Sequence, residues 1–132
     1  MTIHVTCHCG STKIELPNAP ESVGECNCTF CAKSGALWGY YDPGEVKIVS
    51  SEHDKVYSAT GLNLHHFCDT CGGNTYGDSP NWASLYNDDG TLKEGVAAGV
   101  PTARIFGVNM RLADDFDVAS VAIRKMDGRN SW

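Results

Sequence analysis

Seven cysteines in 132 residues constrain this chain more than any other feature of it. They fall into three tight groups: Cys7-His8-Cys9, Cys26-Asn27-Cys28-Thr29-Phe30-Cys31 and Cys68-Asp69-Thr70-Cys71. An odd number cannot pair fully within one chain. Neighbours one or two residues apart also bridge poorly, because a disulfide fixes the Cα separation and the Cβ directions. The N-terminus, Met1-Thr2-Ile3-His4-Val5, has neither a basic region nor an apolar run. No secretory signal is expected, and the expected location is the reducing cytoplasm, where disulfides do not persist. The spacing therefore points to metal ligation. Soft thiolates select zinc, cuprous copper or iron–sulfur clusters, and zinc is the common cytosolic choice.

Structural zinc sites are closed by four protein ligands, whereas catalytic sites use three and keep one position for water or substrate. Seven divides into four and three. Cys26, Cys28 and Cys31 lie within six residues, so one local loop can supply three corners of a tetrahedron. Cys7/Cys9 and Cys68/Cys71 are each half a site, and each pair follows a strand candidate. Together they would form a four-cysteine centre closing a loop of about sixty residues. The expectation is two zinc ions per chain, structural at Cys7, Cys9, Cys68 and Cys71 and open at Cys26, Cys28 and Cys31. A histidine or carboxylate at the fourth corner of the second site would make it structural as well. Four thiolates on Zn²⁺ carry −2 and three carry −1, so filling both sites moves the formal charge from −6 to −9. Sulfurs this rich in charge need donors nearby; the backbone N–H groups of Thr29, Phe30 and Ala32, and Lys33, are the candidates.

The length suits one domain, 1–132, burying roughly two-thirds of its unfolded surface. Hydrophobic residues at 42% and charged ones at 20% describe a globular chain. Its apolar runs are far short of a membrane span, and its acidic balance argues against nonspecific binding to phosphate backbones. Alternation predicts strands at Thr2–Thr6 and Thr12–Leu16, forming a hairpin whose turn carries Cys7 and Cys9. Further strand candidates are Ala36–Tyr41, Glu45–Val49, Asp54–Ala59, Leu62–Phe67 and Ala103–Met110. Short helices are expected near Ser79–Tyr86 and at Asp114–Ile123, the latter capped by Asp114 or Asp115. The 14 glycines fit a turn-rich β protein. Such a fold loses much backbone entropy for modest burial, and a metal bound only in the folded state offsets that loss.

The three cysteine groups, with Gly10 after the first, Ala32-Lys33-Ser34-Gly35-Ala36 after the second and Phe67 and Gly72 around the third, resemble a known family. So does Phe106-Gly107-Val108-Asn109-Met110-Arg111-Leu112-Ala113-Asp114-Asp115-Phe116-Asp117, with its Asn-x-Arg segment and acidic patch. The family is that of glutathione-dependent formaldehyde-activating enzymes and centromere protein V-like proteins, and the likeness runs from Cys7 to about Asp117. The resemblance implies a mainly β fold, a β-tent of short antiparallel strands stapled by zinc. It implies carbon–sulfur lyase chemistry, in which S-(hydroxymethyl)glutathione forms reversibly from glutathione and formaldehyde. It also implies that the first and last pairs hold a structural zinc and that the triplet Cys26, Cys28 and Cys31 holds a catalytic one. The family's named enzyme has more sequence ahead of its first C-x-C. Small members of the family also suggest an alternative, a non-enzymatic zinc-stabilised binding module of the same fold. An iron–sulfur or redox-sensor protein is a third reading.

Among single residues, His8 is a possible ligand or simply an outward-facing turn residue. His65 and His66 are adjacent on a strand and must face opposite sides, so one could reach the open zinc. Lys33 is either an ordinary solvated lysine or the nearest cation to the triplet. Asn109 and Arg111, two apart on one strand face, could bind a carboxylate of a glutathione-like thiol, since Arg binds carboxylates bidentately. The same pair could instead be structural, bonding backbone. Trp38, Tyr40, Tyr41, Trp82 and Tyr86 are expected in the core or on a pocket rim. The partners expected are a small thiol such as glutathione and an aldehyde, with no nucleic acid and no membrane.

Overall fold

Strands account for most of the regular structure in a computed structural model, which describes residues 1–131; residue 132, the last of the expected domain, lies outside the described residues. Ten strands are present among the described residues: β1 (Ile3–Thr6), β2 (Thr12–Leu16), β3 (Ser22–Cys26), β4 (Trp38–Tyr41), β5 (Lys47–Ser51), β6 (Asp54–Tyr57), β7 (Leu64–Cys68), β8 (Asn74–Pro80), β9 (Arg104–Asn109) and β10 (Ala122–Met126). Two short helices accompany them, α1 (Thr29–Ser34) and α2 (Gly128–Ser131). The fold is mainly β, as expected. No helix among the described residues is long and apolar enough to cross a membrane.

The strands form a three-stranded sheet in the order β1-β2-β5 and a seven-stranded sheet in the order β10-β3-β4-β9-β8-β7-β6. Alternation sets the first sheet: Ile3, Val5, Ile14 and Leu16 are buried on one face, and His4 and Lys13 point out. That face packs with Val23, Tyr41, Tyr76 and Val108 of the larger sheet, together with Leu37 and Met110, to make the core. Leu16, Ile3 and Val108 are at most 1% exposed. The other face of the larger sheet carries Trp38 and Tyr40 and is where α1 rests.

Among the described residues antiparallel pairing dominates, with one exception: β10 runs parallel to β3, in register from Ala122↔Ser22 to Met126↔Cys26. The two helices expected from sequence are corrected. Ser79 and Pro80 end β8, and Trp82–Ser84 is one 3-10 turn. Asp114–Ile123 contains one 3-10 turn, Val118–Ser120, capped by Asp117, before the chain enters β10. Asp114 and Asp115 are held elsewhere. Asp114 accepts from the Thr6 hydroxyl, and Asp115 accepts from the backbone N–H of His4 at 2.9 Å, which straps the segment to β1. Backbone pairing with β1 and side-chain bonds to it compete with the helix and win.

Candidate metal centres

The first cysteine group occupies the turn between β1 and β2, where Gly10 takes φ 85°. The third lies at the turn from β7 to β8, where Gly72 takes φ 77° and donates its N–H to the Cys68 carbonyl at 2.8 Å. Left-handed backbone of this kind favours glycine, so both tight turns are built around one. The two turns meet. The sulfurs of Cys7, Cys9, Cys68 and Cys71 all lie within 4.8 Å of one another. Cys7 and Cys9 Sγ are 3.7 Å apart, and Cys9 and Cys68 Sγ are 3.6 Å apart. A tetrahedron of sulfurs at the zinc–thiolate distance has edges of about 3.8 Å, so the donor set fits such an ion. Because Cys7 and Cys9 belong to the small sheet and Cys68 and Cys71 to the large one, this cluster joins the two sheets.

The second group begins on the last residue of β3. Cys26 is buried there, Cys28 caps α1, and Cys31 lies within the helix, which Gly35 ends at φ 71°. Their three sulfurs also lie within 4.8 Å of one another, and the cluster has three members among the described residues. Two cysteine clusters that could hold metal ions are therefore present, divided four and three.

Hydrogen-bond donors surround both. At the first, Thr12 N–H reaches Cys7 Sγ at 3.3 Å, and the Ser11 hydroxyl lies 3.3 Å from Cys9 Sγ and 3.2 Å from Cys68 Sγ. At the second, Cys28 N–H reaches Cys26 Sγ and Cys31 N–H reaches Cys28 Sγ, each at 3.4 Å. The Trp38 indole N–H donates to Cys31 Sγ at 3.3 Å. Ala32 N–H, a donor expected from sequence, instead bonds the Cys28 carbonyl at 2.8 Å. Burial pushes the Cys7 thiol up, but the Thr12 N–H and the neighbouring Cys9, Ser11 and Cys71 outweigh it and bring the pKa to about 6. The Ser11 hydroxyl, then the Cys71 N–H, bring Cys68 to about 7. Burial holds Cys31 at about 12 despite the Trp38 indole. Thiolates crowded together oppose one another's ionisation, and a divalent cation among them removes that opposition. The chemistry of the donor set thus fits a cation at both clusters.

The other residues singled out in the sequence separate. His8 is exposed. His66 packs on Tyr76 and bonds Asp54 at 2.8 Å, while His65 faces the opposite side and stacks on Phe30 with ring centroids 3.6 Å apart. Asn109 and Arg111 do not share a strand face: β9 ends at Asn109, which caps a 3-10 turn that contains Arg111. Asn109 is buried and its amide serves backbone, with Oδ1 accepting from Leu37 and Arg111 N–H and Nδ2 donating to the Asn74 carbonyl. Arg111 is exposed; its Nε donates to the Gly35 carbonyl at 2.6 Å and it lines a cleft of about 430 Å³ beside Cys26 and Cys31. Lys125, Glu25 and Asp127 line the same cleft. Lys33 lies instead in a second cleft of about 480 Å³, with Phe30, Tyr57 and His65.

Two contributions escaped the sequence reading: the Ser11 hydroxyl and the donor role of the Trp38 indole, whose residue was expected only in the core or on a pocket rim. Trp38 and Tyr40 alternate along one strand, which places them on one face, but only the register shows that this face meets the triplet.

Comparison with known proteins adds to this geometry. The family model described as "Glutathione-dependent formaldehyde-activating enzyme" matches residues 2–107. The matched stretch contains all seven cysteines and stops short of Asn109 and Arg111. The crystal structure of a Rhodobacter sphaeroides protein, a structural-genomics target, superposes with a TM-score of 0.65 and 24% sequence identity. The alignment covers 91% of this chain and 98% of that one and speaks for the fold. No curated protein matches. With its cysteine groups inside a match that spans most of its length, the chain belongs to the family of the glutathione-dependent formaldehyde-activating enzyme.

Proposed function

We propose that the protein is a zinc-dependent carbon–sulfur lyase that makes and breaks the adduct of a glutathione-type thiol with formaldehyde, S-(hydroxymethyl)glutathione. Cys7, Cys9, Cys68 and Cys71 hold a structural zinc, and Cys26, Cys28 and Cys31 hold a catalytic one. The observation that carries the reading is the three-membered sulfur cluster opening onto a cleft with a guanidinium on its wall. When bound at the triplet, zinc supplies an open coordination position and Lewis acidity toward sulfur or oxygen.

The chain's own residues supply the rest. The N–H groups of Cys28, Cys31 and Trp38 orient the three sulfurs and draw off part of their negative charge. Arg111, fixed through Nε by Gly35, binds a carboxylate of the thiol with its remaining donors. Glutathione carries a carboxylate at each end and an ammonium at one; the cleft offers Arg111 for a carboxylate and Asp127 for the ammonium, while Lys125 and Glu25 on its wall are ion-paired with each other. Asn109 acts indirectly, by fixing the turn that presents Arg111. A reducing compartment such as the cytoplasm keeps these thiols available.

The adduct also forms spontaneously, so the test is a rate. Exchange NMR of glutathione and formaldehyde with the zinc-loaded protein should show exchange faster than the uncatalysed reaction, and the acceleration should vanish in a folded Cys28→Ser variant. Exchange at the uncatalysed rate in the wild type would overturn the proposal.

A further inference from the structure

Tyr40 presents a phenol on the sheet face that carries Cys26, and its hydroxyl lacks a strong partner. Its ring lies on the outer face of the large sheet, in a slot made by two glycines on the flanking strands. A Cβ at Gly24 on β3 would come within 3.2 Å of one ring edge and 3.5 Å of the hydroxyl oxygen. A Cβ at Gly107 on β9, the cross-strand neighbour of Tyr40, would come within 3.3 Å of the other edge. Any side chain at either position would crowd the ring, so backbone on both sides holds the phenol in place while the residue remains 37% exposed.

The slot sets the hydroxyl over the strand that leads to Cys26. The hydroxyl lies over Gly24, and Gly24 shares a face of β3 with Cys26, two residues and about 7 Å further along the strand. Trp38, on the same face of β4 as Tyr40, already reaches Cys31. The partner of the Tyr40 hydroxyl among the described residues is Met126 Sδ at 3.7 Å, and a thioether is a weak acceptor. Met126 pairs with Cys26 and lines the same cleft as Cys26 and Cys31. Burial, then the charges of Cys31 and Cys26, push the phenol up to about 12, so it keeps its proton at neutral pH.

We propose that Tyr40 donates a hydrogen bond to the oxygen of the thiol–aldehyde adduct and so selects ligands that carry a hydroxyl close to their sulfur. The inference rests on the thiol-adduct reading of the triplet. In such an adduct the oxygen sits one carbon from the sulfur, so a sulfur seated at the cluster would keep that oxygen close to Cys26, on the sheet face that also carries the phenol. Arg111 lines the cleft as a cation suited to a carboxylate, whereas Tyr40 supplies a neutral donor for a neutral hydroxyl.

Two stable ligands of the same size test this: S-(2-hydroxyethyl)glutathione and S-propylglutathione, titrated calorimetrically into the zinc-loaded protein. The wild type should bind the hydroxyl-bearing ligand about tenfold more tightly, as one well-placed hydrogen bond provides. Tyr40→Phe keeps the ring that fills the slot, and should retain zinc content and melting temperature while losing the preference. Its kcat/KM for the adduct should fall about a hundredfold or more, with about tenfold of that loss appearing in KM. An equal preference in wild type and Tyr40→Phe would overturn the role of Tyr40 and leave the thiol reading standing. A wild type that binds neither ligand would overturn both.

Discussion

The indole N–H of Trp38 donates to the sulfur of Cys31 across 3.3 Å, tying the middle of the large sheet to the helix that Cys28 caps and Cys31 belongs to. Trp38 is buried, at 6% exposure, so this bond is shielded from water. Replacing Trp38 with Phe keeps an aromatic ring but removes the donor. Zinc affinity at the triplet, measured by competition with a chromogenic chelator, should fall roughly ten- to a hundredfold, as for other groups that support a metal ligand. The four-sulfur cluster should bind as before. Unchanged affinity at both would contradict the role assigned to the indole.

Cysteine replacements should separate the two clusters. Cys71 helps to join the two sheets, so Cys71→Ser should abolish the cooperative thermal transition, because metal binding confined to the folded state contributes directly to folding. Cys28 caps a six-residue helix at the periphery, so Cys28→Ser should still melt cooperatively while losing turnover. A well-folded Cys71→Ser protein would show that the first cluster is not the staple.

Asn109 offers a test of the joint behind Arg111. Its buried amide serves the Leu37 and Arg111 N–H groups and the Asn74 carbonyl. Asn109→Ala leaves these groups without their partner and should cost about 2–4 kcal/mol in urea unfolding. A loss below about 1 kcal/mol would mean that water or a shifted turn replaces the amide.

The strap between β1 and the segment that follows the Met110–Leu112 3-10 turn should respond to pH. Asp115 accepts from the backbone of His4 and lies 2.8 Å from its ring, and this hydrogen bond raises the His4 pKa, with further support from Glu15 and Asp114. His4 in turn lowers the pKa of Asp115. A raised histidine pKa contributes stability that is fully present below its unfolded value near 6.5 and is lost as pH rises through the folded pKa. A lowered carboxylate pKa contributes above its unfolded value near 3.9 and is lost as pH falls through the folded one. The pair is therefore strongest between about pH 4 and 6.5. The melting temperature of Asp115→Asn should lie below wild type at pH 5.5 and approach it by pH 8. A constant difference across that range would contradict the pairing.

The cysteine spacing made the division into clusters readable because ligand geometry acts over a few residues, and Thr12–Leu16 alternates so cleanly that its strand falls on the bounds expected of it. Other elements were hidden for physical reasons. Helix α1 has six residues and no apolar period, and its start is a cysteine cap with no Ser, Thr, Asn or Asp at that position. Strands β3 and β8 carry Gly24 and Gly77, which weaken any strand signal and find their use only across the sheet. The run from Asp114 reads as a capped helix until β1 is placed beside it. Arg111 could be picked out by its chemistry, but its separation from Asn109 depends on where β9 ends. The part played by Tyr40 depends on glycines 16 residues before it and 67 after it, which no local pattern connects.

The central claim is that two zinc ions are held by sulfur, one enclosed and one with a free position. Metal analysis combined with zinc K-edge X-ray absorption on the purified protein tests it most directly. The account predicts two zincs per chain and an average of about 3.5 sulfur ligands per ion, the mean of four and three, with a lighter atom completing half of the sites. A folded protein that holds no zinc, or two zincs each bound by four protein ligands, would contradict it.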